Sequence, residues 1–408
     1  MGFYNEAMHD GASVSATLTR LIGTAIERNG GWLPFDRFMA MALYAPGLGY
    51  YANPGRKFGT LPQSGSDFVT APELSALFGA ALARQVAQAL KASGTDELWE
   101  FGAGSGALAA QLLGALAGMG QAVRRYSIVE LSAALRERQR ERLAAHGATP
   151  HWVDALPDHM TGVVIGNEVL DAMPVQLLEF DGTEWSERGV VVDVAATGDV
   201  KSASASASAS DSGASAGDPP TTPATPAFAW ATRPTRLRPP CDTAFPPGTV
   251  TEIHAQAEAF IATLAERLTR GAAFFIDYGF PQAEYYHPQR SGGTLMCHRA
   301  HRADADPLLE VGAKDITAHV DFTALALAAQ GAGLEVIGYT TQAHFLMNCG
   351  ILDLLQGADL KTTANTQKLL TEHEMGELFK VIGFAKGCDP AFSTAAIGFA
   401  RGDRTHTL

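Results

Sequence analysis

Three alternate glycines behind an acid, Glu100-Phe101-Gly102-Ala103-Gly104-Ser105-Gly106, form the strongest local signal in this chain. They join a short apolar segment, Leu98 to Phe101, to a helix-forming one, Leu108 to Leu116. Glycines at a strand-to-helix turn permit a tight reversal and let a ligand approach the backbone. The spacing is G-x-G-x-G, not the G-x-G-x-x-G of dinucleotide sites. A carboxylate at the strand end would repel a pyrophosphate and attract an ammonium or a hydroxyl. A small nucleoside carrying an amino acid therefore suits the turn better than a dinucleotide, and S-adenosyl-L-methionine is such a molecule. Glu100, Gly102, Gly104 and Gly106 are candidate cofactor-binding residues, although a plain strand-to-helix turn would use the same glycines.

Further acids follow at strand ends. Glu130 closes the apolar run Tyr126 to Val129, 24 positions past Gly106, which leaves room for one helix and one strand. An acid there can accept both hydroxyls of a ribose. Asp154, ending His151-Trp152-Val153, could accept an adenine amino group or simply form a turn before Pro157. Gly166-Asn167-Glu168-Val169-Leu170-Asp171-Ala172-Met173-Pro174 lies just past the apolar run Val163 to Ile165. That edge of an open α/β sheet lines its ligand crevice. Asn167 is a candidate on both the cofactor and the acceptor side. Glu168 and Asp171 share a face if the segment is helical, and two carboxylates can hold a guanidinium bidentately and stabilise charge during methyl transfer to nitrogen. A helix-capping cluster is the alternative for the pair. In Asp67-Phe68-Val69-Thr70-Ala71-Pro72-Glu73, Thr70 and Glu73 have the spacing of a capping box. Asp67 and Phe68 remain unexplained by capping and join the cofactor candidates. His319, in Asp315-Ile316-Thr317-Ala318-His319-Val320-Asp321-Phe322, could act as a base or hold substrate.

The elements that position these residues alternate. Strand and helix patterns succeed one another from Glu97 through a helix at Ile253 to Thr269, a strand at Ala272 to Asp277 and a late strand at Leu334 to Tyr339. Such alternation predicts a parallel sheet covered on both faces. Ahead of it, Val14 to Asn29 and Phe35 to Leu43 predict helices, Tyr44 to Val69 a Gly-, Pro- and Tyr-rich loop, and Ala71 to Ala92 a long helix. A final helical region is expected from Ile351 to about Ile382. Lys201 to Ala227 holds Ser, Ala, Thr, Pro, Gly and a few Asp with no large apolar residue, so it predicts a disordered insertion, placed at a hairpin tip between flanking strands.

Composition narrows the class. The chain has 408 residues, 46% hydrophobic and 18% charged, with a formal net charge of -13. These values fit a globular protein and argue against broad binding to nucleic-acid backbones, which needs clustered Lys and Arg. Cys241, Cys297, Cys349 and Cys388 include no C-x-x-C pair, so neither a structural zinc site nor a disulfide framework is expected. No apolar run reaches the ~18 residues of a membrane span, and the first residues lack a signal-peptide pattern. The expectation is a cytoplasmic protein without membrane insertion, of unknown oligomeric state.

Taken together, these stretches resemble the MidA family of class I SAM-dependent methyltransferases, which includes the mitochondrial complex I assembly factor that methylates arginine. The resemblance runs through Phe35-Asp36-Arg37-Phe38-Met39, Ala42 to Tyr51, Ser66 to Glu73, the Glu100 to Gly106 turn, Asn167 to Val175, Asp277-Tyr278-Gly279, Asp315 to Phe322 and Glu374 to Val381. Ser66 stands where the family usually has Gly. The resemblance implies a Rossmann-like α/β class I methyltransferase core with an N-terminal helical cap and an inserted substrate-facing region. In that reading residues 1–93 are the cap and substrate loop, 94–345 the core with the Ser/Ala insertion near 200–227 and a substrate-facing insertion near 280–325, and 346–408 a helical extension. It implies S-adenosyl-L-methionine as methyl donor and no metal. It also implies symmetric dimethylation of a protein arginine in a polypeptide substrate, a respiratory complex I subunit for the mitochondrial member. Other readings keep the donor and change the acceptor to a small molecule or RNA, or make the chain an assembly chaperone with little turnover.

Overall fold

The computed structural model describes residues 2–53, 70–145, 149–193, 225–299 and 302–408, with side chains from residue 13 onward. Asp67, Phe68 and most of the Ser/Ala-rich stretch lie outside the described residues.

Seven strands form the main path of the eight-stranded central sheet: β1 (Glu97–Phe101), β2 (Arg125–Val129), β3 (His151–Val153), β4 (Met160–Asn167), β5 (Leu268–Phe280), β6 (Glu335–Thr341) and β7 (Phe379–Lys386); the eighth, Val320–Asp321, pairs with the end of β5. Their order across the sheet is β6-β7-β5-β4-β1-β2-β3. The run from β5 to β3 is parallel, while β7 is antiparallel to both of its neighbours. Parallel strands are covered on both faces and so read as continuous apolar runs. Each strand accordingly feeds two cores, because successive side chains point to opposite faces. Leu98, Ile128, Val163, Ile165, Phe274 and Ile276 pack on one side. Trp99, Phe101, Val164, Ala273 and Phe275 pack on the other.

The sheet order reverses direction of growth between β1 and β4. The turn after β1 and the segment after β4 therefore sit side by side at the strands' carboxyl ends, where ligands of open α/β sheets bind.

A second sheet of five strands is an antiparallel array in which Gln176–Phe180 pairs both with Thr249–Ile253 and with Trp185–Val192. Its first strand, Leu33–Pro34, lies between helices Gly2–Arg28 and Phe35–Tyr44 in sequence, and side chains of both helices share its core with Leu33, Leu177, Val190 and Ile316. Trp185–Val192 also pairs with Phe228–Pro234, Val192 standing opposite Phe228. The Ser/Ala-rich insertion thus connects two paired strands, as its flanking sequence predicts.

Two sequence expectations are corrected. The helix expected over Ala71 to Ala92 is broken at Ser75, whose backbone is extended at φ -148°, ψ 130°. The hydroxyl of Ser75 caps the second helix, Ala76–Ser93, by accepting from the Leu77 N–H. No capping box forms before it: Thr70 makes no side-chain cap bond, and Glu73 instead pairs with Arg142 at 2.6 Å and accepts from Ser105. The tail after residue 346 is likewise not a purely helical extension. It carries helices at Ile351–Leu354 and Leu360–Leu370, but Phe379–Lys386 is a buried strand inside the central sheet. A short apolar run buried on both faces has no period that separates strand from helix.

Candidate active site

The glycine turn leaves β1 with three residues in the left-handed region: Gly102 at φ 60°, Gly104 at 52° and Gly106 at 81°. A side chain at any of them would be strained. At Gly104 an added Cβ would meet nothing within 4 Å, so the backbone there borders open space. At Gly102 it would come within 3.1 Å of Val169 Cγ2, which shows how closely the segment after β4 approaches this turn. Gly106 sits at the N-terminus of helix Ala107–Gly118, whose free N–H groups favour an anionic group such as a carboxylate.

Around the turn stand two acids. Glu100 is buried and accepts a 2.6 Å hydrogen bond from the Tyr126 hydroxyl. Burial pushes its carboxyl up to about 7, opposed by the tyrosine and assisted by the charge of Glu130. Glu130 ends β2. One of its oxygens accepts from the Ser132 N–H at 2.9 Å and the other from the Gln139 amide at 3.2 Å. Burial raises Glu130 as well, against the pull of these bonds and of Arg136. Asp154 is placed further out. Its side chain is 84% exposed and pairs with Arg136, whose guanidinium also donates to the Glu130 carbonyl.

Across the turn, the segment after β4 is held from below. The Asp277 carboxylate, fully buried at the end of β5, accepts from the N–H groups of Val169 at 3.1 Å, Leu170 at 2.9 Å and Asp171 at 3.3 Å. Three converging N–H donors favour a charged acceptor, yet burial and the neighbouring Asp171 and Glu168 hold Asp277 well above the usual carboxylate range. The segment it grips includes a non-glycine residue at positive φ, Glu168 at 54°. Strain of this kind persists where surrounding bonds impose it, and it gathers at functional sites.

The carboxylate of Glu168 is recessed but partly exposed. The Asn167 amide donates to it at 3.0 Å, and the Ala71 N–H also bonds it. Burial, then repulsion by Asp171, pushes Glu168 up to about 8. Asp171 is buried and takes the Tyr278 hydroxyl on Oδ2, and burial raises it to about 6. Asp171 Oδ1 and Asn167 Oδ1 are buried without a hydrogen-bond partner among the described residues. No Lys or Arg forms an ion pair with Glu168 or Asp171 among the described residues.

Aromatic groups flank these acids. Tyr44, stacked on Tyr51 with ring centroids 5.6 Å apart, donates to the Ala172 carbonyl. Tyr51 donates to the buried Asp315 carboxylate at 2.8 Å, and Asp315 adds to the negative field felt by Glu168. His319 lies behind Tyr278, ring centroids 5.2 Å apart. Its Nδ1 is buried without a partner among the described residues. Burial, then the charges of Arg290 and Lys380, lowers it to about 4, so it is a neutral imidazole at physiological pH.

The structure therefore gathers Glu100, Gly102, Gly104, Gly106 and Glu130 on one side of a cleft and Asn167, Glu168 and Asp171 on the other. His319 reaches the second group through Tyr278. Sequence reasoning missed the roles of Asp277, Tyr278, Gln139 and Arg142. Asp277-Tyr278 was visible as a polar pair at a strand end, but nothing local to Gln139 or Arg142 marks them.

Fold and cleft together define a class I methyltransferase: a sheet whose main path has seven strands with one antiparallel strand inserted beside β5, and a glycine turn facing open space. The chain belongs to the MidA-like family of S-adenosyl-L-methionine-dependent methyltransferases, whose family model matches residues 81–340. A crystal structure from Burkholderia thailandensis, bound to S-adenosyl-homocysteine, is 48% identical with a TM-score of 0.87, covering 98% of each chain. Among curated proteins, the mitochondrial protein arginine methyltransferase NDUFAF7 of Danio rerio is 26% identical, covering 90% of this chain and 87% of its own length. The Drosophila melanogaster homolog is 27% identical over 88% and 79%. S-adenosyl-L-methionine is the cofactor. The residues present suit it: the positive-φ backbone at Gly104, which borders open space, would take its amino-acid end, and the buried carboxylate just after β2 would take a ribose. No helix among the described residues is long and apolar enough to cross a membrane.

Proposed function

We propose that this methyltransferase transfers the methyl group to a guanidino nitrogen of an arginine in a partner polypeptide. The observation that carries the proposal is the recessed acid pair Glu168 and Asp171, adjacent to the cofactor turn and without an ion-paired Lys or Arg among the described residues. Burying two carboxylates is costly unless a positive partner arrives. A guanidinium supplies that charge and matches carboxylates bidentately. The NDUFAF7 relatives, named as protein arginine methyltransferases, support the same acceptor class.

S-adenosyl-L-methionine supplies an electrophilic methyl carbon for an in-line displacement. The chain's own residues hold the acceptor and handle its proton. A guanidinium keeps its proton below about pH 12, so a base must remove one as nitrogen attacks. Asp171 Oδ1 is without a hydrogen-bond partner among the described residues while Tyr278 occupies Oδ2, which leaves one oxygen with capacity to accept. Glu168, set by Asn167 and Ala71, supplies the second contact. Tyr44 and Tyr51 offer flat faces beside the acids, on which a planar guanidinium stacks.

The test is transfer from methyl-labelled S-adenosyl-L-methionine into cell-extract protein, followed by acid hydrolysis and separation of methylated amino acids. Label in methylarginine with wild type, lost at least ~100-fold in Glu168→Gln with S-adenosylhomocysteine binding retained, is the expected result. Label confined to small molecules, RNA or other amino acids would overturn the assignment.

A further inference from the structure

Gln139 lies on helix Ala133–Ala145, away from every motif in the sequence, and its side chain is fully buried. Its Oε1 accepts from the Trp152 indole N–H at 2.8 Å. Its Nε2 lies 3.0 Å from the Gly104 carbonyl oxygen and 3.2 Å from Glu130 Oε2. The orientation of this amide follows from chemistry. An indole N–H can only donate, so the atom facing Trp152 must be oxygen. The amide NH2 must then face two acceptors, and it has one hydrogen for each.

The consequence is a link among three strands. Trp152 belongs to β3, Glu130 ends β2, and Gly104 is the middle of the turn leaving β1. The backbone of Gln139 also packs against Gly106, where an added Cβ would approach its Cα to 3.3 Å. With Ser132 N–H on Oε1 and Gln139 on Oε2, both Glu130 oxygens are oriented, and each keeps acceptor capacity for one more donor. Two oriented oxygens are what a vicinal diol requires.

We infer that Gln139 is a positioning residue for the cofactor's ribose: it aims the Glu130 carboxylate at the diol and ties that carboxylate to the glycine turn. The inference rests on the assignment of Glu130 to the ribose. A hydrogen bond to a charged group is worth a factor of about ten or more in binding. Gln139→Leu keeps approximate volume, removes both donors and leaves Glu130 Oε2 unheld, with only the Ser132 N–H on Oε1. Gln139→Glu keeps the shape and the acceptor for Trp152. It sets a second carboxylate against Glu130 and the Gly104 carbonyl unless it carries a proton.

The experiment is calorimetric titration of the full chain with S-adenosylhomocysteine and with its 2′-deoxyribose analogue, with circular dichroism as a folding control. Wild type is expected to prefer the ribose form. Gln139→Leu is expected to lose about tenfold or more for S-adenosylhomocysteine and much less for the deoxy analogue, so the preference collapses. Gln139→Glu is expected to bind poorly at pH 8 and to recover at pH 5.5, where the two carboxyls share a proton, while wild type changes less over that range. This second variant carries the test if the leucine variant does not fold. Equal losses for both ligands, or no recovery of Gln139→Glu at low pH, would reduce Gln139 to packing and overturn the inference. Glu130→Gln measured in parallel separates the two readings. If it leaves the ribose preference intact, the assignment of Glu130 itself fails. If it abolishes the preference while Gln139 variants do not, only the role of Gln139 fails.

Discussion

Glu168 and Asp171 are acids whose surroundings favour the protonated form. Free Glu168 is pushed up to about 8 and Asp171 to about 6, in each case chiefly by burial. Near neutrality Glu168 holds its proton, and under the proposed function an arriving guanidinium would displace it. Affinity for an arginine peptide should therefore rise between pH 6 and pH 8, with proton release on binding, as titrations in buffers of different ionisation heat will read. A flat profile would mean that neither acid meets the acceptor. The same shifts act on stability with the opposite direction. The native state binds more protons than the unfolded chain above the usual carboxylate range, so stability falls as pH rises toward 8. Glu168→Gln removes part of that fall. Its melting temperature should drop less than that of wild type between pH 5 and pH 8, by roughly 2 °C or more. Equal slopes would show that the Glu168 carboxyl titrates normally.

At the scale of elements, the segment after β4 owes its shape to a residue from another strand. Asp277 sits more than a hundred positions away in sequence, yet it satisfies the three N–H groups that follow Glu168. Without that carboxylate, three buried donors lose their partner and Glu168 loses the support for its positive φ. Asp277→Ala should cost about 3 kcal/mol of stability and lower methyl transfer strongly, while S-adenosylhomocysteine affinity stays within about threefold, since the glycine turn is held by other bonds. The opposite pattern belongs to the turn itself. Gly104→Val introduces a β-branched residue at φ 52°, facing the open space at the turn. Calorimetry should show a folded protein with cofactor affinity lost by about 100-fold or more. Unchanged binding would mean that the cofactor does not approach that backbone.

At the scale of the molecule, a methyltransferase sheet carries a second, antiparallel sheet and its helices on one polypeptide. The Ser/Ala-rich insertion leaves this second sheet between strands that pair directly, with the Asp193 N–H bonded to the Ala227 carbonyl at 2.9 Å. Joining those strands by a short Gly/Ser turn in place of residues 194–224 should leave the melting temperature within about 2 °C and cofactor affinity unchanged, because loop length contributes only weakly to stability. A large loss of either would show that the insertion takes part in the fold or the site.

The sequence by itself determined what depends on neighbours along the chain. Glycines at 102, 104 and 106 can only mean a left-handed turn or a close approach, and acids ending apolar runs fall at the carboxyl edge of a parallel sheet wherever the helices pack. The alternation of strand and helix sets the order of β1 to β5, and the residues flanking the Ser/Ala stretch already described a hairpin. Tertiary structure decided the rest. Phe379 to Lys386 reads equally as helix or buried strand, and only the vacant ladder between β5 and β6 makes it a strand. Glu73 has a capping box within reach, but Arg142 and Ser105, brought up by folding, bind its carboxylate more strongly than a backbone N–H does. The grip of Asp277, the hydroxyl of Tyr278 on Asp171 and the amide of Gln139 joining the ends of three strands are contacts made across the fold. Such contacts have no period and no spacing in sequence, because the distance they span is closed only when the strands pair.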